Sequence, residues 1–505
     1  MIEVWYPGQA GENAPQRELA LGPWDSTHEG VTLSARRLVQ DSRDVGDGDI
    51  FVAIGTTASP ALPYIAPALK QGAVAVLVDA AASAGLSLGE RVYPIANLRD
   101  LIGSMADTFV GHPSRSMAMV GITGTNGKTS TAHLLTQAWQ RLGTSSATIG
   151  TLGAGITGER RINMGMTTPQ VTAVHQFLDD FHRAGVANVA MEVSSHALEQ
   201  RRVDGVSFDI VAFTNFTRDH LDYHGSMEEY AAQKAKIFTL PGVTTAVLNL
   251  DDAAAENHFH NTLPEGMRGI GMTSLGHAEA IVRADNVQLT TDGLEFDLVI
   301  AGESHHVASG LIGRFNVDNL LTCATVLWAQ GIEPRAIAEV LAPLEPVLGR
   351  MTRIRENNEL PLVVVDAGHT PDAVRHAVTA LRESGHSRVV TVFGATGDRD
   401  PGKRPEMARI VEEGSDLIVV TDDDVHNEDG DQIVADIRAG FEHPERVVEI
   451  RDRATAIAYA IDAANPDDVV LLQGKGHEPY QIVGNERVPF SDIDTAIRLL
   501  KERAK

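Results

Sequence analysis

A single cysteine, Cys323, in a chain of 505 residues excludes an internal disulfide and any cysteine-built zinc site. Aromatic residues make up only 5% of the chain, and no apolar run approaches the roughly 20 residues needed to span a bilayer. The start, MIEVWYPGQA, has neither the basic nor the apolar stretch of a secretory signal, so a cytoplasmic location is expected. Basic residues are scarce: 42 Lys and Arg stand against 68 Asp and Glu, a formal charge of −26. A surface that acidic repels phosphate backbones and anionic lipid, which argues against nucleic acid and membrane as partners. An anionic substrate then needs a local basic patch that works against the global field. Short-period repeats and low-complexity tracts are also missing.

What is present is length and alternation. At roughly 150 residues per domain, the chain has room for about three domains. A first α/β unit, 1–112, carries IFVAI (50–54), the helical YIAPALKQG (64–72) and AVAVLVD (73–79). The polar GHPSRS (111–116) reads as a linker. A second unit, 113–344, opens on MAMVGIT (117–123) and continues with NVAMEV (188–193), DIVAFTN (209–215) and TAVLNL (245–250), with helical stretches between. That alternation predicts a doubly wound, mostly parallel sheet, with a small antiparallel insertion near 281–307. A third unit, 345–505, repeats the α/β pattern with PLVVVDA (361–367), RVVTVFG (388–394), DLIVVTD (416–422) and DVVLLQG (468–474).

The sharpest local signal is GITGTNGKTSTAHLL (121–135). A strand runs into a glycine-rich loop and then a helix with Ala132, Leu135, Trp139 and Leu142 at helical spacing and Gly143 as its stop. The backbone N–H groups of such a loop surround phosphates, the lysine reaches the terminal phosphates, and the hydroxyl meets Mg²⁺. Five residues separate Gly121 from Gly127, one more than the strict P-loop spacing, so Gly124 is expected to take the turn. In MEVSSHAL (191–198), Glu192 closes an apolar strand where a metal-ligating carboxylate belongs. The cluster NFTRDHLDYHGSMEEYAAQKAKIF (215–238) adds Asp219, His220, Asp222 and His224 ahead of a helix bearing Lys234 and Lys236. Alone it reads as a solvated loop; after a phosphate loop and Glu192 it reads as a second metal site.

GTNGKT with EVSSHAL, DHLDYHG, GRFNVDN (313–319) and GRM (349–351) resembles the Mur ligase family. DAGHTPDA (366–373), GATGDRDPGKRP (394–405), DDDVHNED (422–429) and GKGHEPYQ (474–481) look like its E-type members, the UDP-N-acetylmuramoyl-tripeptide synthetases. The resemblance covers essentially the whole chain. It implies three domains: an N-terminal one for the UDP end of the substrate, a central P-loop-like ATPase domain, and a C-terminal Rossmann-like domain for the incoming amino acid. It further implies that ATP phosphorylates the D-glutamyl carboxylate of UDP-N-acetylmuramoyl-L-alanyl-D-glutamate. The amine of a diamino acid would then displace phosphate. A carboxylate is a poor acyl donor until its oxygen can leave as phosphate, and the intermediate must be kept from water. We expect a monomer working on these small molecules, with Mg²⁺ and ATP.

By this resemblance the phosphate loop is Gly124, Thr125, Asn126, Gly127, Lys128, Thr129 and Ser130, with Lys128 on the terminal phosphates. Thr129, Glu192, His220 and Lys234 would hold metal, Lys234 as a carbamate (N6-carboxylysine). An ammonium with a pKa of roughly 10.4 would repel Mg²⁺, whereas a carbamate offers it anionic oxygens. Asn316, Asn319, Arg350 and His369 look like nucleotide-side residues. Ser42 looks like the uridine contact, and Thr167, Thr168, Ser194, Gln200 and Arg202 would meet the muramoyl dipeptide. The family's Asp-Gly-His stretch is replaced near Pro60, Ala61 and Leu62.

Arg399, Asp423, Asp424, His426, Gly474 and Glu478 would receive the amino acid. Diaminopimelate-adding members carry Asp-Asn-Pro-Arg where this chain has Asp423, Asp424, Val425 and His426. A bidentate arginine suits a distal carboxylate, whereas a neutral histidine among Asp422, Asp423, Asp424, Glu428 and Asp429 suits an ammonium. The sequence therefore favours L-lysine, with L-ornithine close behind. The alternative keeps meso-diaminopimelate, with the arginine's role moved to Lys403 or Arg404. Two other classes compete: a folylpolyglutamate synthetase, which lacks the N-terminal domain and the GDRD and GKGHE blocks, and a catalytically silent relative, which has no need of Lys128, Glu192, His220 and Lys234.

Overall fold

Residues 14–55, 62–159, 161–217 and 219–505 are described by a computed structural model. Pro60 and Ala61 of the replaced family stretch lie outside the described residues; Leu62 opens the short helical turn Leu62–Tyr64. The chain divides into two compact units: residues 1–283, 299–303 and 318–340, and residues 284–298, 304–317 and 341–505.

Within the first unit, a four-stranded parallel sheet of Leu38–Val39, Ile50–Ala53, Ala75–Asp79 and Val92–Ile95 runs in chain order. The main sheet begins with Ala118–Thr123 at its centre. Asn188–Glu192, Ser146–Gly150 and Gly153–Ile156 lie on one side, and Ile210–Phe213, Thr245–Asn249 and Arg268–Thr273 on the other. All but Gly153–Ile156 are parallel to their neighbours. The strand order reverses at Ala118–Thr123, which opens a crevice at the carboxyl ends of the strands, where α/β sheets bind ligands. Register lines those ends up: Ile122 faces Glu192 on one side and Thr123 faces Phe213 on the other. The helix Lys128–Arg141 buries Ala132, Leu135 and Trp139, and Leu142 caps it ahead of Gly143.

The segment 111–116, read from composition as a linker, is instead packed. Pro113–Ser116 forms a helical turn with Pro113 and Ser114 buried, and the Ser114 hydroxyl accepts from the Ser207 amide. Val171 joins the core cluster of residues 19–110, and Arg17 reaches Asp179 at 2.7 Å. Polar composition marked the turn, but its proline and small serine fit inside the interface they cross.

The second unit is built on a sheet in the order Thr352–Ile354, Leu362–Asp366, Val469–Gln473, Val389–Phe393, Leu417–Val420 and Val447–Glu449, antiparallel only at the first pair. Side chains alternate between its faces, as pleating demands. Leu362 and Val364 enter one core with Leu381, Val411 and Ile437; Val363 and Val365 enter the other with Ile457, Ile461 and Leu500. Helices cover both faces, which is why the strands read as continuous apolar runs. A hairpin, Tyr480–Val483 with Glu486–Pro489, follows the last parallel strand. The predicted insertion is the run of neighbouring strands Val282–Thr290, Gly293–Ile300 and Glu303–Ser309.

Candidate active site

The predicted phosphate loop is shaped by two glycines. Gly124 has φ 140° and Gly127 φ 83°, values that side chains disfavour. A Cβ on Gly127 would lie 2.6 Å from the Asn319 side-chain oxygen. The loop is fastened from the neighbouring strand end: Thr125 N donates to Asn215 O (2.9 Å), Asn126 N to Asn215 Oδ1 (2.8 Å), and Thr214 Oγ1 to Asn126 O (2.6 Å). Lys128 Nζ folds back onto the carbonyls of Gly124 and Thr125, both at 2.8 Å. Lys234 is 1% exposed and donates to Gly124 O at 2.7 Å. Burial and the neighbouring Lys128 charge hold its pKa well below the usual lysine range, against the pull of Asp219. Ser130 follows on the first turn of the helix Lys128–Arg141.

Glu192 ends its strand buried, and two hydroxyls and a backbone amide donate to it. Its carboxylate accepts from Thr129 Oγ1 (2.9 Å), Thr151 N (2.9 Å) and Thr151 Oγ1 (3.1 Å). Burial raises its pKa against those bonds and the Lys128 charge. Hydroxyl and carboxylate oxygens of this kind suit a hard cation such as Mg²⁺. Among the described residues no group of three or more His, Cys, Asp or Glu side chains converges as a preformed metal cage. His220 is exposed, in a left-handed conformation (φ 51°), with its ring edge-on to His196 at 4.9 Å.

The dipeptide-side residues come together beside Glu192. Thr168 Oγ1 donates to Glu192 O (2.9 Å) and accepts from Ser194 N (3.2 Å). Arg202 donates to Thr168 O (2.8 Å) and to Gln200 Oε1 (2.6 Å), so its charge is set against neutral oxygens. Thr167 Oγ1 lies 3.1 Å from Thr151 Oγ1. Ser42 lines a cavity of about 520 Å³ with Arg37, Asp41, Tyr64, Met164 and Gln176. Asn319 accepts from Thr131 Oγ1 at 3.2 Å.

The second unit gathers its own predicted residues at the carboxyl ends of its strands. Asp366 accepts from Met351 N (3.0 Å), Gly368 N (2.8 Å) and Gln473 Nε2 (3.1 Å), tying together the loops that carry Arg350, His369 and Gly474. Arg350 and His369 are exposed, and Asn316 donates to Ile312 O at 2.8 Å. The loop holding Arg399 is stitched to the one holding His426: Gly397 N donates to Asp424 O (2.7 Å) and Asn427 Nδ2 to Asp398 Oδ2 (3.2 Å). His426 (φ 51°) pairs through its backbone with Ile482 O and Gly484 N.

The acidic cluster, however, is not the free negative pocket on which lysine was preferred. Asp422 is paired with Arg451 (2.7 Å) and Glu428 with Arg404 (2.6 Å), and Asp429 caps the helix Gly430–Arg438. The fully buried Lys475 lies 2.7 Å from Asp424, 3.1 Å from Glu478 and 3.5 Å from Asp423. Arg404, offered as a replacement for the missing arginine, is itself buried and held by Glu428 and Asp436.

Sequence reasoning missed Thr151, Tyr230, Lys475 and Gln481. Thr151 follows a strand's carboxyl end, a position that could have named it. Tyr230 stands one helical turn before Lys234, with its hydroxyl 3.2 Å from Thr125 Oγ1 and its ring under the Lys234 ammonium at 4.8 Å. Nothing in the sequence signals that Lys475 is buried, or that Gln481 donates to the carbonyls of Asp422 and Asp423 at 3.3 Å each.

Residues 122–327 match the Mur ligase middle domain and residues 349–476 the Mur ligase glutamate ligase domain. A UDP-N-acetylmuramoyl-L-alanyl-D-glutamate–2,6-diaminopimelate ligase of Xanthomonas oryzae pv. oryzae (strain MAFF 311018) is 50% identical over 466 residues, covering 92% of this chain and 94% of the relative. The chain belongs to the Mur ligase family. Relatives of the same name in Xylella fastidiosa (strain 9a5c) and Pseudomonas putida are 50% and 41% identical, each over 92% of this chain and over 93% and 95% of the relative. A solved structure of that ligase aligns with TM-score 0.73 at 30% identity, over 93% of this chain and 96% of the other. These place the protein among the E-type Mur ligases, ATP-dependent enzymes that join an amino acid to an acid. A folylpolyglutamate synthase from Mycobacterium tuberculosis, at TM-score 0.56 and 19% identity over 74% of this chain and 92% of its own, shares the fold alone. The names of these relatives favour the meso-diaminopimelate alternative over lysine, in line with the paired state of the acidic cluster.

Proposed function

We propose that this Mur ligase adds meso-diaminopimelate to UDP-N-acetylmuramoyl-L-alanyl-D-glutamate, converting ATP to ADP and phosphate through an acyl phosphate, as a step of peptidoglycan precursor synthesis. The observation that carries the reading is the cluster in which Lys128 follows the central strand, Glu192 ends the neighbouring strand, and Arg202 joins Glu192 through Thr168. Phosphate, metal and anionic acceptor each find a fitting group there. In this reading 1–112 binds the uridine end, 113–344 binds ATP and 345–505 binds the amino acid.

Gly124 to Ser130 cradle the phosphates with their amides, while Lys128 exchanges its two carbonyl partners for phosphate oxygens. Asn316, Asn319, Arg350 and His369 take the nucleotide side. Thr167, Thr168, Ser194, Gln200 and Arg202 hold the dipeptide so that its D-glutamyl carboxylate meets the γ-phosphate, with Ser42 at the uridine end. Thr129, Glu192, His220 and Lys234 as carbamate would hold Mg²⁺, which neutralises charge on the phosphates when bound. The low pKa of Lys234 supports the carbamate, because only a neutral amine adds CO₂. Arg399, Asp423, Asp424, His426, Gly474 and Glu478 orient the diamino acid so that a free amine attacks the acyl phosphate. The reaction is assigned to the cytoplasm, where ATP and the nucleotide sugar occur together, and to a single chain; no helix of the described residues is long and apolar enough to cross a membrane.

The test is phosphate release with purified chain, ATP, Mg²⁺ and the UDP-muramoyl dipeptide, adding meso-diaminopimelate, L-lysine and L-ornithine in parallel. Release that needs both the nucleotide sugar and a diamino acid is expected. Release without either, or none at all, would remove the ligase reading.

A further inference from the structure

The region around Gly474 contains a group that no part of the reaction described above uses. Lys475 is 1% exposed, at the carboxyl end of the strand Val469–Gln473 and next to the subsite glycine. A buried ammonium survives only where anions compensate it. Here three do: Asp424 Oδ1 at 2.7 Å, Glu478 Oε2 at 3.1 Å and Asp423 Oδ1 at 3.5 Å. Burial works against the Lys475 charge, but Asp423, Asp424 and Glu478 outweigh it and raise its pKa. All three carboxylates belong to the amino-acid subsite as assigned.

Two of these carboxylates are also fixed from their other sides. Asp424 Oδ1 accepts from Ile482 N (2.8 Å), and Asp423 Oδ1 from Asp424 N (2.9 Å). Asp423 Oδ2 turns toward Gly474, within 2.6 Å of where a Cβ would stand. Beneath them Arg453, fully buried against Asp492, donates to Gln473 O at 3.1 Å and adds its field to Asp423 and Asp424. Asp424 stands where the Asp-Asn-Pro-Arg pattern has a neutral amide, so this chain carries a carboxylate more and a guanidinium less at its subsite. Left alone, three clustered carboxylates would repel one another and any substrate with a second carboxylate.

We propose that Lys475 is a specificity-determining positioning residue: it gathers Asp423, Asp424 and Glu478 into one fixed group and cancels the added charge of Asp424, so that the subsite admits a dicarboxylic diamino acid without an arginine at position 426. The proposal rests on the ligase reading above. Lys475 does not touch substrate; it acts through the carboxylates that do.

The experiment compares wild type, Lys475→Met, Asp424→Asn, and the two combined, measuring kcat/KM for meso-diaminopimelate and L-lysine and KM for ATP and the UDP-muramoyl dipeptide. Lys475→Met is expected to lower the diaminopimelate-to-lysine ratio of kcat/KM by about tenfold or more, the scale of a buried charge left unpaired. KM for ATP and the nucleotide sugar should stay within about threefold, since those groups bind elsewhere. Asp424→Asn alone should raise the ratio, and in the Lys475→Met background it should restore it. An unchanged ratio in Asp424→Asn, which removes no buried cation and gives a reading even if Lys475→Met does not fold, overturns the proposal. So does a Lys475→Met protein that loses activity on both amino acids equally, which marks Lys475 as merely structural. Wild type without diamino-acid-dependent phosphate release instead removes the ligase reading itself.

Discussion

Lys128 and Lys234 donate to the same acceptor, the carbonyl oxygen of Gly124, at 2.8 and 2.7 Å. Two ammonium groups converging on one neutral oxygen repel each other, and burial strengthens that repulsion. Both pKa values are lowered, Lys128 chiefly by burial and Lys234 by burial and then by Lys128. The arrangement is relieved if phosphate arrives at one lysine and the other turns into an anion.

Lys128→Ala is therefore expected to cut turnover by about 100- to 1,000-fold or more, the scale of a charged or polar clamp lost from a transition state. Steady-state phosphate release on protein shown folded by circular dichroism checks this. Near-normal turnover would remove Lys128 from the phosphate site.

Incubation with ¹³C-bicarbonate should label Lys234, visible as a carbamate carbon in the NMR spectrum and missing in Lys234→Ala. Protons compete with CO₂ for the amine. A lowered pKa enlarges the neutral fraction of the amine, and label and activity should fall together as pH drops. Lys234→Ala should be nearly inactive, with partial rescue by short carboxylates. Label of equal strength in Lys234→Ala would sink the assignment.

Gly150→Ala places a methyl group against the Glu192 carboxylate. The carboxylate must shift off Thr129 and Thr151, and a misplacement of about 1 Å in a reacting assembly costs about 100-fold in rate. The Mg²⁺ concentration for half-maximal activity should rise as well, read from a metal titration; unaltered metal dependence would separate Glu192 from the metal.

Asp492→Asn leaves the fully buried Arg453 without its anion. Breaking such a pair costs about 3–5 kcal/mol, to be read from urea denaturation of the full chain. A change under about 1 kcal/mol would mean that the pair exchanges with water more freely than its burial indicates.

Much of the architecture was legible because parallel strands are buried on both faces. VVV of 363–365 and VAM of 189–191 announce themselves without alternation. The shape of the glycine-rich loop was legible because its pattern is local: Gly124, Gly127, Lys128 and Thr129 lie within one turn and one loop. The amino-acid subsite was not. The sequence shows Asp422, Asp423, Asp424 and Glu428 as adjacent charges, but their partners Arg404, Arg451 and Lys475 come from distant segments. Counting charges along a chain overstates a field that folding has already cancelled. The 111–116 turn was misread for a related reason, since composition reports polarity and not what packs against it.

Among the described residues the place of residue 426 is held by main-chain bonds, His426 N to Ile482 O at 3.2 Å and Gly484 N to His426 O at 2.7 Å. Bonds of that kind are indifferent to the side chain they carry. Arginine can replace histidine there at a small conformational cost, whereas proline, which has no N–H, and β-branched residues, which resist a φ of 51°, are disfavoured most. A change of charge at position 426 therefore needs a single codon and no rebuilding of the loop.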